Sequence, residues 1–354
     1  MSAAEALGPL VFDLAGEDLG PEEAELLSSP AVGGVVLFDR HDRGPEALRA
    51  LLARLRSLRR PLLVAVDQEG GRIQRLRRGL APLPPPGVFG AEAKRGRLAY
   101  ARRAAAAAGW LAASELAAFG IDLAFAPVVD LTAPSSLVLA GRTFAADPET
   151  VALVAGAYAE GLRRGGLAPV FKHFPGHGGV AADTHLTAAQ DTRTLAEFEA
   201  RDLIPYRLLL GAGPAAVMTA HVTVPQVDTR PASLSPVWNR TVLRERLGFC
   251  GAIVCDDIAM EALAAYGDPL ARAQSALAAG ADLVLACHLR PGDRARLCDG
   301  LRPEDPASAA RRAALRSAGR PRALRSLRAD LQWRRARRIL AGLERRLAEE
   351  DPGP

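Results

Sequence analysis

Residues 62–67 read LLVAVD. An apolar run, with Val64 and Val66 β-branched, passes without interruption into the carboxylate of Asp67. A strand with one wet face would alternate apolar and polar residues. An unbroken apolar run instead reads as a strand covered on both faces, as in a parallel sheet. Seven more segments read as strands: 9–13, 34–38, 122–126, 170–173, 216–221, 252–256 and 282–286. Helix-period segments lie among them at 21–27, 45–58, 95–118, 148–164, 195–210, 236–247 and 269–279. Eight strand–helix units at a spacing of roughly 20–55 residues predict an α/β fold, a (β/α)8 TIM barrel of uneven spacing. The structural alternative is an open doubly wound sheet. It calls for a Gly-rich phosphate turn after the first strand, and AGEDLG at 15–20 is not one.

The barrel is expected to occupy residues 1–300 as a catalytic domain. Residues 301–354 read as an arginine-rich C-terminal extension of one or two helices, packed on the barrel or partly disordered. Fourteen arginines fall there, so the net charge of +5 is local to the tail and does not argue for nucleic acid. A solvated helix packed on the barrel explains them better than an anionic partner does. The chain has 354 residues, 49% hydrophobic and 24% charged, a mixture that can bury a large core. No apolar stretch is long enough to span a bilayer, and the first residues lack the basic start of a signal peptide. Cys250, Cys255, Cys287 and Cys298 show no C-x-x-C spacing, which suggests free thiols. A cytoplasmic monomer without membrane or nucleic-acid partners is expected.

In a barrel, the C-terminal ends of the strands converge on one mouth. Asp67, Asp130, Lys172, His173, His221, Asp256 and Asp257 all lie at or just past such ends. Single residues of this kind are usually structural; seven on several strands are harder to explain by capping. In VDQEGGRIQRLR (66–77), Asp67 closes the strand and Gly70-Gly71 permits a sharp turn before Arg72 and Arg75. A carboxylate there can accept from two sugar hydroxyls, or can pair with an arginine to fix the turn. The prolines of APLPPP (81–86) suit a rigid wall at the mouth. Arg142, in GRTF (141–144), is ambiguous by itself, a lone loop arginine being more often structural. Of Asp256 and Asp257, neighbours on a strand point to opposite faces, and Asp256 is the better placed nucleophile. Asp257 could instead cap the next helix.

Residues 171–186, FKHFPGHGGVAADTHL, hold three of the six histidines and one of only two lysines. Almost every basic residue in this chain is arginine, so Lys172 suggests a place that needs a compact ammonium. Lys172 and His173 would end a strand and be fixed. Asp183 and His185 follow Pro175, Gly176, Gly178 and Gly179, on a shaped loop able to move. His173 and His177 are four apart, but Pro175-Gly176 prevents the helical geometry of a metal pair. Neither a metal nor a cofactor is expected.

These stretches resemble the family-3 glycoside hydrolases, specifically the single-domain bacterial β-N-acetylhexosaminidases of the NagZ type. The carrying motifs are VDQEGGRIQRLR, APVVDL (126–131), GRTF, KHFPGHG (172–178) with DTH (183–185), VMTAHV (217–222) and CDDIAM (255–260). They span residues 8–290 or so; KHFPGHG followed by D-x-H is the specific one, and GRTF alone is weak. The stretch before it, PSSLVLAG (134–141), departs from the polar segment many relatives carry. The resemblance implies a TIM barrel and retaining hydrolysis of terminal β-linked N-acetylglucosamine. The implied substrate is a GlcNAc–1,6-anhydro-N-acetylmuramic acid fragment, with or without its peptide. Asp256 would be the nucleophile, His185 the general acid/base, and Asp183 its hydrogen-bonded partner. Asp67, Arg75, Arg142, Lys172 and His173 would grip the sugar.

A histidine titrates near neutral pH already, and an adjacent aspartate favours its charged form and orients the ring. A neutral base avoids a second negative charge near the sugar, so phosphate could replace water. Phosphorolysis and β-glucosidase action therefore stand as alternatives on the same scaffold, and a non-catalytic sugar-binding barrel as the non-enzyme reading. The acetamide oxygen of an N-acetyl sugar could also serve as internal nucleophile. The separate Asp183–His185 pair favours the covalent route.

Overall fold

The computed structural model describes residues 7–350 apart from 60, 134, 135, 137, 181–186, 212–215, 303, 304 and 320. Eight strands are parallel: β1 (Leu10–Asp13), β2 (Val32–Leu37), β3 (Leu63–Val66), β4 (Leu123–Ala124), β5 (Val170–Phe174), β6 (Ala216–Thr219), β7 (Ala252–Cys255) and β8 (Leu283–Ala286). Their order round the sheet is β4-β3-β2-β1-β8-β7-β6-β5. Single parallel bridges, Leu123 to Ala168 and Val128 to Lys172, close β4 onto β5. The sheet is thus a (β/α)8 barrel, with all eight strands at the places the apolar runs marked.

Alternation along each strand divides the core in two. Val11, Val36, Leu63, Ala65, Met218, Val254, Leu283 and Leu285 fill the barrel interior. Their neighbours, among them Phe12, Val64, Val66, Ile253 and Val284, pack outward against the helices. This explains why the strands lack a polar face: both faces are buried. It also aims the strand ends. Continuing the inward set by two residues gives Phe38, Asp67, Asp256 and Cys287.

The helices follow the expected segments with local departures. The segment 95–118 is one helix, α1 (Leu98–Phe119), preceded by a short helix, Gly87–Lys94, that the sequence reading did not mark; 195–210 is broken into Leu195–Ala200 and Leu203–Leu209. The segment 236–247 is a π-type helix over Val237–Arg246. Helix α2 (Pro148–Gly165) starts where the Asp147 side chain accepts from the Thr150 N–H at 2.8 Å. The tail forms three helices, not the one or two expected: Pro306–Ala313, Leu324–Ala329 and α3 (Leu331–Glu350). Among the described residues, no helix is long and apolar enough to cross a membrane.

Candidate active site

The mouth of the barrel holds a cavity of about 700 Å³. Asp67, Arg75, Arg142, Lys172, His173 and Asp256 all line it, although they come from four separate stretches of the chain. Asp183 and His185 lie outside the described residues.

The turn after β3 builds one wall. Gln68–Gly70 pairs antiparallel with Ile73–Gln74. Gly70 and Gly71 take φ of 108° and 56°, a region unfavourable for a residue with a Cβ. A Cβ on Gly70 would also lie 2.4 Å from the Pro84 carbonyl, so the proline loop packs directly on this turn. The turn delivers Glu69, a residue the sequence reading passed over. Glu69 is buried and accepts two hydrogen bonds from Arg142, Nε and Nη2 each at 2.8 Å. The same carboxylate meets Lys172 Nζ at 2.7 Å, and Lys172 also donates to Asp67 at 2.9 Å. Burial alone would raise the Glu69 carboxyl, but the Lys172 and Arg142 charges outweigh it and hold it at about 2. Burial would lower the Lys172 ammonium, and Asp67 with Glu69 reverse that and raise it. Four groups with two charges of each sign therefore lock one another in place. The acidic residue two positions past Asp67 was the available sequence signal.

On β5, adjacent residues Lys172 and His173 both reach the cavity, against simple alternation. The pairing with β6 shifts register between Phe171 and Phe174, and this irregularity lets both side chains face inward. His173 Nδ1 lies 2.7 Å from Asp130 Oδ2, and Asp130 also accepts the His173 and His177 backbone N–H groups. Burial would raise Asp130, yet the two histidines and these bonds lower it overall. Asp130 thus orients His173 and the start of the following loop.

Asp256 is half-buried at the end of β7, and its Oδ1 accepts from the Asp257 N–H at 2.8 Å. Asp257 Oδ1 accepts from the Ala259 and Cys287 N–H groups, so it ties β7 to β8. Burial pushes the Asp257 carboxyl up to about 7, and the neighbouring Asp256 and Asp13 add to the rise. His221 Nε2 bonds the Asp257 carbonyl at 2.9 Å, and its Nδ1 bonds the Ser233 hydroxyl. His221 is therefore a support for the β7 end. Arg75 stands apart from the Lys172 cluster: it pairs with Asp39 at 2.9 Å and lies over the Phe38 ring. Among the described residues, no group of three or more His, Cys, Asp or Glu is arranged to hold a metal.

The sequence matches the Glycosyl hydrolase family 3 N terminal domain over residues 11–299. It is 45% identical to the beta-hexosaminidase of Methylococcus capsulatus over 92% of this chain and 96% of that one. Its identity to the beta-hexosaminidase of Alkalilimnicola ehrlichii is 44%, over 98% of each. The fold superposes on NagZ from Neisseria gonorrhoeae, solved with N-trifluoroacetyl-D-glucosamine, with a TM-score of 0.89 and 40% identity. That alignment covers 96% of this chain and 98% of the NagZ chain.

Proposed function

The chain belongs to glycosyl hydrolase family 3 and is a glycoside hydrolase; from that premise we propose that it removes terminal β-linked N-acetylglucosamine with retention of configuration. The observation that carries the reading is Asp256, a carboxylate at the inward-facing end of β7 that lines the same cavity as Asp67, Lys172 and His173. The beta-hexosaminidase names of the relatives, and the glucosamine derivative held by the gonococcal NagZ, support the sugar class. The substrate would be a peptidoglycan-derived GlcNAc–1,6-anhydro-N-acetylmuramic acid fragment, met in the cytoplasm.

In the first step, an Asp256 oxygen bonds to the anomeric carbon as the glycosidic C–O bond breaks. The leaving oxygen takes a proton from the His185 imidazolium, which Asp183 orients. In the second step, neutral His185 takes a proton from water while the water oxygen displaces Asp256 from the same carbon. The free sugar and the starting charges are restored. Asp67, Lys172 and His173 would bind ring hydroxyls, Lys172 held charged by its two carboxylates. Arg142 would act through Glu69, and Arg75 from the β2 side.

The test is turnover of β-GlcNAc against β-Glc glycosides, with and without phosphate, followed by a 2-fluoro sugar carrying an activated leaving group. The expected results are GlcNAc release independent of phosphate and a mass increment on the peptide containing Asp256. An unmodified peptide after complete inactivation would remove Asp256 from the nucleophile role. A His185→Ala variant should lose most activity on natural leaving groups and much less on activated ones. Equal loss on both would take His185 out of the acid role.

A further inference from the structure

The cavity has two walls of different chemistry. The β3–β5 wall is ionic and internally paired. The β2–β8 wall carries Phe38 and His288, which the hydrolytic steps do not use. Phe38 lies just past β2 at an inward position. Its ring centroid is 4.8 Å from that of His288, with the planes 58° apart. The guanidinium of Arg40 lies 4.9 Å from the Phe38 centroid, and that of Arg75 5.7 Å.

His288 is unusual in its backbone. Among the described residues it is the one non-glycine with a positive φ, 56°. That region is costly for a side chain with a Cβ and is kept where surroundings enforce it. Here they do: the His288 N–H donates to Asp13 Oδ1 at 3.0 Å, and its Nδ1 lies 3.4 Å from Asp13 Oδ2. Asp13 is itself buried and held by Arg294 at 2.9 Å. Yet the His288 side chain is 59% exposed. An imidazole so firmly set from below, and so open above, is not there to fill a core. It presents a pre-organised edge to whatever enters the mouth.

We propose that Phe38 and His288 form the platform for the leaving group, and that their rings carry the second sugar of the substrate beyond the scissile bond. This rests on the glycosidase reading above. The glycone needs partners for several hydroxyls, and the paired wall of Asp67, Lys172 and His173 offers them. The β2–β8 wall offers instead an apolar ring and an exposed imidazole, suited to the apolar face and one hydroxyl of a saccharide ring. The leaving group must also depart to solvent, and His288 marks the open side. Arg75 packs on Phe38 at the edge of this platform.

The experiment compares two substrates. N-acetyl-β-glucosaminyl fluoride has a leaving group too small to reach the rings, whereas N,N′-diacetylchitobiose places a sugar there. The variants are Phe38→Ala and His288→Asn, the second chosen because Asn tolerates a positive φ and spares the backbone. Each should lower kcat/KM on the disaccharide by ~3–10-fold, the range of a lost ring contact, and leave the fluoride rate within about 2-fold. Equal losses on both substrates would mean a structural or glycone role and overturn the proposal. Unchanged rates on both would overturn it as well. A wild-type enzyme that turns over neither substrate would instead remove the glycosidase reading on which the platform depends.

Discussion

At the scale of single residues, Glu69 has the largest predicted effect. It is one buried carboxylate serving two cations, and Glu69→Gln would leave Lys172 and Arg142 partly uncompensated. Removing one member of such a buried group costs about 3 kcal/mol, measurable by urea unfolding at neutral pH. Because its folded pKa is depressed from 4.5 to about 2, its contribution is complete above pH 4.5 and is lost as pH falls toward 2. The gap between wild type and variant should close over that window. Asp257 has the opposite sign. Its folded pKa is raised from 3.8 to about 7, so its neutral form costs nothing below 3.8 and stability is lost as pH rises through 7. Asp257→Asn should match wild type near pH 4 and exceed it at pH 8 by up to about 4 kcal/mol. A variant less stable at pH 8 would show that the bonds from Ala259 and Cys287 need the charge. Lys172 was legible from composition, since lysine is so rare here. Glu69 and His288 were not, because their meaning lies in partners from distant parts of the chain.

At the scale of elements, all eight strands were legible because burial on both faces leaves an unbroken apolar signature. The helix breaks were not. Arg201 and Asp202 interrupt one helical pattern, and Asp202 pairs with Arg193 at 2.6 Å, an ion pair no periodicity reports. The alanine-rich α1 packs backbone to backbone against α2. A Cβ on Gly109 would fall 2.1 Å from the Tyr158 carbonyl, and one on Gly161 would fall 2.2 Å from that of Ala106. Backbone has nowhere to retreat at either point, so small residues on facing turns set the distance between the helices. Gly109→Ala or Gly161→Ala should each cost about 3 kcal/mol, read as a lowered urea midpoint. A neutral result would mean that the helices slide apart freely. Tyr158 reaches from α2 toward the Gln68 and Glu69 carbonyls at 3.4 and 3.5 Å, so activity should fall with the same substitutions.

At the scale of the whole molecule, the arginine tail was expected as helices packed on the barrel with a solvated arginine face. Several of its residues meet the floor of the barrel. Leu315, between the first two tail helices, is 1% exposed and joins Leu7 in the interior cluster. Arg312 is buried and donates to the Leu7 carbonyl at 2.7 Å and to Ser308 at 2.6 Å. Arg244 and Arg311 both meet Asp282, each at 2.8 Å. Leu340 and Leu343 of α3 are fully buried, and Trp333 donates to Glu115 on α1. A chain ending at residue 300 would expose this floor. Leu315→Ala should cost about 3 kcal/mol through the cavity it leaves, while Arg346→Ala, on the outer face, should change little. Equal costs for the two would contradict a plugging role for the tail.

The scarcity of lysine has a practical corollary. The chain offers two ε-amines, and they differ completely in reactivity. Lys172 is buried and held protonated by Asp67 and Glu69, so it is a poor nucleophile. Lys94 is exposed at the end of the helix Gly87–Lys94. Side-chain acylation under mild conditions should therefore mark one position and spare the other. That gives one side-chain address, besides the backbone amino group, for a dye, a tether or a solid support.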